Sequence, residues 1–292
     1  MAYHILFVAI RLLASIPFRF LYAISDAMFY ITYYVVRYRR ALVRKNLSSS
    51  FPGKSKSEII DIEKKFYHYL TDQILETIKL SSISPEELRK RMKFTNIEEV
   101  NTGQRAGKSV SLFLGHYGNW EWVSSLPLWL ENHVVGAQIY RTLRNESINR
   151  LMLRIRSRMG AENVEMRQTA RYIREQNTKN NICFIGFIAD QSPQKKDATH
   201  FIPFLNHNTP VVVGTEKLTK RYDFNAWFLN IKRLKRGYYE GTFIKMHDNP
   251  KDLPDYELTA IYYQLLEKMI NACPEIYLWS HNRFKHATGT NA

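Results

Sequence analysis

The chain has 292 residues, of which 45% are apolar, and it carries a formal net charge of +15 at pH 7. That length is enough for one large core, or for one domain with an appendage. The two cysteines, Cys183 and Cys273, exclude a disulfide framework and a cysteine-based zinc pattern, as is typical of a reducing compartment. A mean hydropathy of −0.36 excludes a polytopic membrane protein. The clustered positive charge predicts an anionic partner, which is nucleic acid, an anionic membrane surface, or an acidic protein or substrate.

The N-terminal residues 5–36 are almost entirely apolar and rich in Phe and Tyr. Arg11, Arg19 and Asp26 interrupt them, and at about 100° per residue these three lie within an arc of about 80° on a helix. One polar stripe on an apolar helical surface predicts an interfacial helix, or a pair of helices whose polar side faces protein, with a break near Pro17. An ordinary amphipathic core helix is the alternative, and whether the segment spans the bilayer or lies in its interface stays open.

A basic cluster follows this segment directly. Within nine residues it holds Arg37, Arg39, Arg40, Arg44 and Lys45. Basic residues beside an apolar segment are typical of the cytoplasmic side, and they bind anionic lipid headgroups with about 1 kcal/mol each. We therefore predict a membrane-anchoring helical region over residues 1–46 and an α/β domain over residues 47–292, at the cytoplasmic face of a membrane.

The remaining chain alternates between helical and strand-like patterns. Residues 47–102 have the spacing of connecting helices, and residues 141–160 and 255–273 predict amphipathic helices. The strand-like segments are residues 109–117, 133–140, 181–190, 225–234 and 238–246, of which the last two predict a pair. Strands alternating with helices indicate a mixed, largely parallel α/β sheet flanked by helices, with antiparallel pairing near the end of the chain.

The stretch GHYGNWEW, residues 115–122, places His116 at the end of the first of these strands. His116 and Glu121 would diverge on regular structure, because five residues correspond to about 500° on a helix and to opposite faces of a strand. They can meet only if the chain bends between them, and Gly118 and Asn119 suit a tight turn. We predict a strand, a turn and a helix, with His116 at the strand end where open α/β sheets bind ligands.

This pair predicts general-base chemistry, because a histidine oriented by a carboxylate can take a proton from a hydroxyl or an amine. In this interpretation Glu121 fixes the tautomer of His116 and stabilises its imidazolium. The sequence holds no Gly-x-Ser-x-Gly motif, and Cys183 lies in an apolar run, so direct transfer to an acceptor is expected. A structural histidine in a turn is the alternative. The spacing of this pair to His200 and His207 is generic and predicts no metal site.

Two further polar segments predict substrate contacts. The first carries six arginines between residues 141 and 158, and arginine binds phosphates and carboxylates in bidentate fashion. A solvated helix face or a nucleic-acid site would use the same residues, although no recognised nucleic-acid motif is present. The second is IADQSP, residues 188–193, which puts Asp190 at another strand end or forms a plain strand-terminating turn. Residues 200–218 fit an acyl groove or the core equally well.

Six motifs, by their order and spacing, resemble the late acyltransferases of lipid A biosynthesis, the lauroyl/myristoyl-type enzymes of the lysophospholipid acyltransferase superfamily. The motifs are GHYGNWEW, IYR, the arginine-bearing helix, DQSP, FIPF and PEIYLWSHNRFK. The resemblance covers nearly the whole chain. It implies an enzyme at the cytoplasmic face of the inner membrane that moves a fatty acyl chain from acyl carrier protein to a glycolipid hydroxyl, without cofactor or metal. The acidic carrier protein and a phosphorylated acceptor both suit the positive charge, and nucleic acid is not an expected partner.

By position, the resemblance implies catalytic roles for four residues and substrate contacts for six. The catalytic residues are His116 as the base, Glu121 as its partner, Arg156 fifteen residues after Arg141, and Asp190 after the central strand. The substrate-binding residues are Asn119, Arg141, Arg144, Asn145, Arg154 and Gln191. LNHNTP stands where the family often has a second glycine-containing turn, which leaves the acyl-chain length and the acceptor open.

Other functions stay open at this point. The same His-x4-acid core occurs in members of the superfamily that act on lysophospholipids, aminolipids and phosphatidylinositol mannosides. A basic membrane-tethered binding protein with an inactive site would also carry this charge, as would a nucleic-acid binder.

Overall fold

The computed structural model describes residues 2–289, in which a mixed sheet is flanked by helices. The strands are β1 (Met92–Phe94), β2 (Val110–Leu114), β3 (Val134–Tyr140), β4 (Glu162–Glu165), β5 (Ile182–Ile188), β6 (Phe201–Phe204), β7 (His207–Pro210), β8 (Asn225–Lys235) and β9 (Tyr238–His247). The α-helices are α1 (Ala2–Ser15), α2 (Phe18–Tyr30), α3 (Arg40–Ser50), α4 (Lys56–Lys79), α5 (Pro85–Arg91), α6 (Ile97–Arg105), α7 (Glu146–Arg156), α8 (Thr169–Thr178), α9 (Gly214–Arg221) and α10 (Glu257–Ala272). In addition, Ile31–Val35 forms a π-helix and Trp122–Leu128 forms a 3₁₀-helix.

The main sheet has seven strands in the order β1-β9-β8-β2-β5-β3-β4. Its neighbouring strands are parallel except for β8 and β9, which form an antiparallel pair. All five residues of β2 are buried, as expected for a central strand with parallel partners on both edges. The structure confirms the predicted mixed, largely parallel sheet flanked by helices, and every strand-like segment of the sequence lies in it.

Four short strands are not apparent in the sequence pattern. β1 and β4 form the edges of the main sheet, and β6 and β7 form a separate antiparallel hairpin. Each has only three or four residues, too few to show an alternating period. The hairpin turns at Leu205 and Asn206, which have φ angles of 49° and 63°. Ile202, Phe204 and Leu205 belong to the main core, which favours the core interpretation of this segment.

The first two helices meet at a sharp bend. Pro17 precedes α2 with an extended backbone, and Leu6–Ser15 lies at 115° to Phe18–Val35. Within residues 2–289 no single helix has the length and apolar character of a membrane span, whereas this bent pair has both when taken together. The break expected near Pro17 is confirmed, and the membrane anchor over residues 1–46 stays a prediction.

Two residues of the polar stripe, Arg11 and Asp26, contact the rest of the protein. Nη1 of Arg11 donates to the carbonyl oxygen of Ser81 at 2.7 Å, and Nη2 of Arg236 donates to Oδ1 of Asp26 at 2.7 Å. Elsewhere this region carries apolar side chains that are each more than a third exposed. They are Val8, Leu12, Phe20, Ile24, Tyr30, Ile31, Tyr34, Val35 and Val36. Arg19 of the same stripe is exposed, so the polar side of this helical pair faces protein only in part.

α4 is the helix on which the N-terminal elements pack. It begins with a capping box, in which Oγ of Ser55 accepts from the N–H of Glu58 at 3.3 Å and Glu58 accepts from the N–H of Ser55 at 2.8 Å. α1, α2 and α3 all contact it. Glu63 of α4 is fully buried and accepts from Arg44 at 2.7 Å and from Arg40 at 3.2 Å. Arg40 and Arg44 therefore neutralise the buried carboxylate of Glu63.

Replacing Arg236 by Ala should weaken the attachment of α2 to α4. Its guanidinium donates to Asp72 at 2.6 Å and to Asp26 at 2.7 Å, and Asp72 is only 2% exposed. Loss of these charge-assisted bonds should lower the free energy of unfolding, measured by urea titration, by about 2–3 kcal/mol. Arg171→Ala is the control, because Arg171 and Glu175 form an exposed surface pair whose loss should change the free energy of unfolding much less. Equal changes in the two variants would contradict this interpretation.

Candidate active site

The C-terminal ends of β2 and β5 bring His116 and Asp190 together. The two strands pair in parallel, with Leu114 opposite Ile188. His116 and Asp190 each lie two residues beyond this pair, so both leave the sheet at the same edge. The strand ends predicted for these two residues are confirmed, and this edge is where open α/β sheets bind ligands.

Asp190 binds both the ring and the backbone of His116. Its Oδ1 lies 2.7 Å from Nδ1 of the imidazole, and its Oδ2 accepts from the backbone N–H at 3.1 Å. Burial raises the pKa of the Asp190 carboxyl, but the charge and the hydrogen bonds of His116 outweigh burial and hold it below its usual range. An ionised carboxylate can only accept, so in the neutral form of His116 Nδ1 carries the proton and Nε2 presents a lone pair. This is the tautomer that a general base requires.

The lone pair of the His116 ring faces Gln191. The side-chain amide nitrogen of Gln191 lies 3.1 Å from Nε2 of His116 and donates to it. The ring of Trp120 meets the imidazole edge-on, with 5.4 Å between the ring centroids. A substrate hydroxyl in the place of the Gln191 amide would direct its proton at the same nitrogen. Gln191, expected among the substrate-binding residues, thus lies at the reacting atom of the histidine.

Glu121 does not hold His116, contrary to the prediction. Its carboxylate accepts from Arg156 at 2.8 and 2.6 Å, and from Nε1 of Trp120 at 3.2 Å. The turn after His116 directs Glu121 towards the end of α7, where Arg156 is the last residue. Burial lowers the pKa of Arg156, but its bonds to Glu121 outweigh burial and raise that pKa above its ordinary value. The orienting position predicted for Glu121 belongs to Asp190, and Glu121 with Arg156 forms a separate ion pair.

Gly118 and Asn119 form the predicted turn. Gly118 has a φ of +57°, and a Cβ atom there would lie 2.5 Å from Cγ2 of Ile231, so only glycine fits. Asn119 is completely buried, and its Oδ1 accepts from the N–H of Trp122 at 3.0 Å while its Nδ2 donates to Glu76 at 2.7 Å. The substrate contact predicted for Asn119 is therefore replaced by a structural role. The predicted helix follows the turn, as a 3₁₀-helix.

The residues of the predicted arginine-rich segment differ in their contacts with the rest of the protein. Arg141 and Arg144 follow the C-terminal end of β3, at the same edge of the sheet as His116 and Asp190, and both are exposed. Asn145 caps α7, because its Oδ1 accepts from a first-turn N–H at 3.0 Å. The guanidinium of Arg154 lies 4.0 Å from the ring centroid of Phe7 in α1. All four of these polar residues are exposed, and their binding of substrate stays a prediction.

His281 is a residue of the site that the sequence pattern does not single out. Its Nε2 accepts from the backbone N–H of Ser192 at 3.3 Å, two residues after Asp190. Burial lowers the pKa of His281 to about 4, although the charge of Asp190 opposes this shift. The C-terminal segment reaches the site because the N–H of Leu278 donates to the carbonyl oxygen of His116 at 3.0 Å. His281 lies in the motif PEIYLWSHNRFK, which contributed to the family resemblance but did not predict this contact.

An apolar cavity of about 540 Å³ lies beside His281. Its lining comes from the end of the N-terminal region, from α4 and from the C-terminal segment. The lining residues are Thr32, Val36, Tyr38, Arg39, Leu70, Ile74, Leu278, Ser280 and His281. Ligand sites in proteins commonly have volumes of about 300–1,000 Å³. The lining therefore includes both Val36 of the exposed apolar N-terminal surface and His281, whose ring accepts from Ser192.

The histidines considered for a metal site have other partners. The ring of His200 stacks on Tyr256 with 4.1 Å between centroids, and Nε2 of His207 lies 3.0 Å from Oγ of Ser49. In the part of the chain that the structure describes, no group of three or more His, Cys, Asp or Glu side chains is arranged to hold a metal ion.

Comparison with known protein families gives a match over nearly the whole chain. The family described as bacterial lipid A biosynthesis acyltransferase matches residues 2–286. A comparison with curated proteins gives no match. The matched range contains the joined ends of β2 and β5 and the segment that carries His281.

The stability of the protein should depend on pH in part through His281. The unfolded histidine takes up a proton near pH 6.5, whereas the folded one does so near pH 4. The unfolded state binds more protons in this window, so stabilisation present above pH 6.5 is lost as the pH falls. His281→Gln, which keeps an acceptor for Ser192, should lose less stability than the wild type between about pH 7 and pH 5 in urea titrations. An equal loss of stability in the wild type and in His281→Gln would refute the lowered pKa of His281.

Proposed function

Since the chain belongs to the family of bacterial lipid A biosynthesis acyltransferases, we propose that it transfers a fatty acyl chain from acyl carrier protein to a hydroxyl of a lipid A precursor. Acyl transfer in lipid A biosynthesis is the activity of the family, and the carrier-protein donor and the residue roles are the added proposal. The 2.7 Å contact between Nδ1 of His116 and Asp190 carries the proposal, because it leaves the lone pair of Nε2 for a base.

The reaction starts with removal of the proton from the acceptor hydroxyl. Nε2 of His116 takes this proton while the hydroxyl oxygen attacks the carbonyl carbon of the acyl thioester, and Asp190 stabilises the resulting imidazolium. The carbon–sulfur bond then breaks, and the departing thiolate receives the proton from the imidazolium. This step restores neutral His116, and no protein nucleophile is needed.

The tetrahedral intermediate concentrates negative charge on the former carbonyl oxygen. Two donors suit this charge: the amide of Gln191, 3.1 Å from Nε2 of His116, and the guanidinium of Arg156. Arg156 binds Glu121 through Nε and Nη2, so its Nη1 does not take part in that ion pair. One well-placed oxyanion donor contributes about 3–4 kcal/mol in comparable sites.

The surface at this edge has basic residues that suit a phosphorylated acceptor and an apolar cavity that suits an acyl chain. Exposed Arg141 and Arg144 suit phosphate groups of the acceptor, because arginine donates two parallel hydrogen bonds to such groups. The net charge of +15 favours encounter with an acidic carrier protein. The apolar cavity beside His281 suits part of an acyl chain.

We also propose attachment to the cytoplasmic face of the inner membrane through residues 1–46. The support is the exposed apolar surface of the bent pair, which includes Leu12 at 66% and Val35 at 75% exposure. Arg37 and Arg39, both exposed, follow this surface directly and suit anionic headgroups. A lipid acceptor could then reach the catalytic edge without leaving the bilayer surface.

Cells that lack this chain should make lipid A with one acyl chain fewer. Mass spectrometry of lipid A and of total lipids measures this, with complementation by the wild type or by His116→Ala. The wild type should restore the missing mass and His116→Ala should not, because the variant removes the base. In assays of purified protein, His116→Ala should lower kcat by about 10²–10⁴-fold while the protein stays folded.

Other outcomes of the lipid analysis have defined meanings. Unchanged lipid A with a shifted phospholipid or aminolipid would assign a different acceptor and keep His116 as the base. No change in any lipid, combined with full activity of His116→Ala, would contradict the catalytic assignment and favour a membrane-tethered binding protein.

Asp190→Asn should lower kcat more than Glu121→Gln does. The amide that replaces the Asp190 carboxylate can donate to Nδ1 and so favours the wrong tautomer of His116, a change that costs about 10³–10⁴-fold in comparable triads. Glu121→Gln keeps an acceptor for Arg156 and leaves the histidine contact intact, so a loss of about tenfold or less is expected. Steady-state kinetics with an acyl carrier protein thioester measure both. The reverse order would return the orienting role to Glu121.

A further inference from the structure

The catalytic turn rests on one buried face of α4. The hydroxyl of Tyr69 donates to the carbonyl oxygen of Gly118. The amide of Gln73 donates to Oδ1 of Asn119 at 3.4 Å, and Glu76 accepts from Nδ2 of Asn119 at 2.7 Å. These three α4 residues recur at helical spacing and are all buried, so they present one continuous polar face to the turn.

Glu76 joins this face to two other elements. It is 1% exposed, and its carboxylate also accepts from the hydroxyl of Tyr22 in α2 and from that of Tyr239 in β9, both at 2.9 Å. Its backbone carbonyl accepts from Nε1 of Trp122, at the start of the 3₁₀-helix, at 3.0 Å. A buried carboxylate is unfavourable unless it is hydrogen-bonded, and an apolar side chain would fill the space without that penalty. The contacts therefore indicate a function for this acceptor beyond packing.

We propose that Glu76 is a positioning residue for acyl transfer. It fixes the Gly118–Asn119 turn, and so holds His116 in line with Asp190. Through Tyr22 it also makes the geometry of this turn depend on the packing of α2. This inference rests on the proposed catalytic role of His116.

The short distance along the chain makes His116 sensitive to the turn. Only Tyr117 separates His116 from Gly118 along the chain. The imidazole itself contacts Asp190, Gln191 and Trp120, so Glu76 would act on it through the backbone of the turn. A displacement of about 1 Å at a reacting group can lower a rate by about 10²-fold. Loss of the Glu76 acceptor should therefore reduce kcat while substrate binding at the exposed edge is preserved.

Glu76 also introduces a pH dependence of stability. Burial raises its pKa to about 7. The charged or titratable groups that face it are Asp72, which raises the pKa further, and Tyr239, Arg233 and Tyr22, which lower it. The folded value lies above the unfolded one, so the contribution to stability is complete below about pH 4.5 and is lost as the pH rises through about 7. A glutamine at this position would remove that dependence.

Glu76→Ala and Glu76→Gln distinguish the effect of losing the hydrogen-bond acceptor from the effect of losing the carboxylate charge. Alanine removes the acceptor for Asn119, whereas glutamine keeps an acceptor oxygen and can donate to the hydroxyl oxygen of Tyr22. Glu63→Ala is the matched control, because Glu63 is a fully buried carboxylate of the same helix, about 20 Å away along its axis, and pairs with Arg44. It should destabilise the protein without affecting the turn.

Steady-state kinetics should show a fall of about 10²-fold in kcat for Glu76→Ala, with KM changed by less than about threefold. Glu76→Gln should recover most of this loss, and its melting temperature should fall less than that of the wild type between about pH 5 and pH 8. Glu63→Ala should keep kcat within about threefold of the wild type. Equal kcat values for the two alanine variants would overturn the proposal, as would a Glu76→Gln variant as slow as Glu76→Ala.

Tyr22→Phe tests the dependence on α2, with Tyr239→Phe as its counterpart on the sheet side. Each removes one hydroxyl donor from Glu76 and keeps the aromatic ring. A lower kcat in Tyr22→Phe supports the dependence on α2, and an unchanged kcat in that variant refutes it. His116→Ala is measured in the same assay. Activity in His116→Ala would refute the proposed mechanism, whereas an inactive His116→Ala beside a fully active Glu76→Ala would refute the positioning role alone.

Discussion

The in-register parallel pairing of β2 with β5 is the constraint on which the site depends. Backbone hydrogen bonds between these two central strands place Leu114 opposite Ile188, and the next two residues of each strand lead to His116 and Asp190. The imidazole is therefore oriented by the sheet before any substrate binds. Such preorganisation reduces the rearrangement that proton transfer requires, because the carboxylate already lies 2.7 Å from Nδ1.

A second requirement is the buried charge on α4. Three of its carboxylates are at most 2% exposed, and each accepts hydrogen bonds from residues of the N-terminal region. The pairs are Glu63 with Arg40 and Arg44, Asp72 with Ser25, and Glu76 with Tyr22. Buried carboxylates without partners are strongly unfavourable. The N-terminal helices therefore stabilise the α/β fold, in addition to any part they have in binding a membrane.

The site lies where apolar and basic surfaces meet. A cavity lined by Val36, Ile74 and His281 includes part of the exposed apolar N-terminal surface, and exposed Arg141 and Arg144 follow the C-terminal end of β3. An apolar acyl chain would suit the cavity, and an anionic phosphorylated headgroup would suit the arginines. The chain thus combines a positive net charge with an apolar N-terminal segment.

Local patterns in the sequence were sufficient for the strands and for the turn. Buried parallel strands are mostly apolar along their length, so residues 110–114, with Ser111 as the one polar residue, and residues 182–188 were recognisable as strands. Gly118 indicated a bend, because it alone tolerates the positive φ found there beside Ile231. Strands of three or four residues were missed, because they are too short to show a period.

The partner of His116 was decided only by the tertiary structure. Glu121 is five residues from His116 and Asp190 is 74 residues away, so sequence distance favoured Glu121. The register between β2 and β5 brings Asp190 to Nδ1, while the turn sends Glu121 to Arg156. Local sequence thus determined which residues lie at strand ends. Which of these residues meet was determined by strand pairing between distant segments, because a hydrogen-bonded register is a property of two strands together.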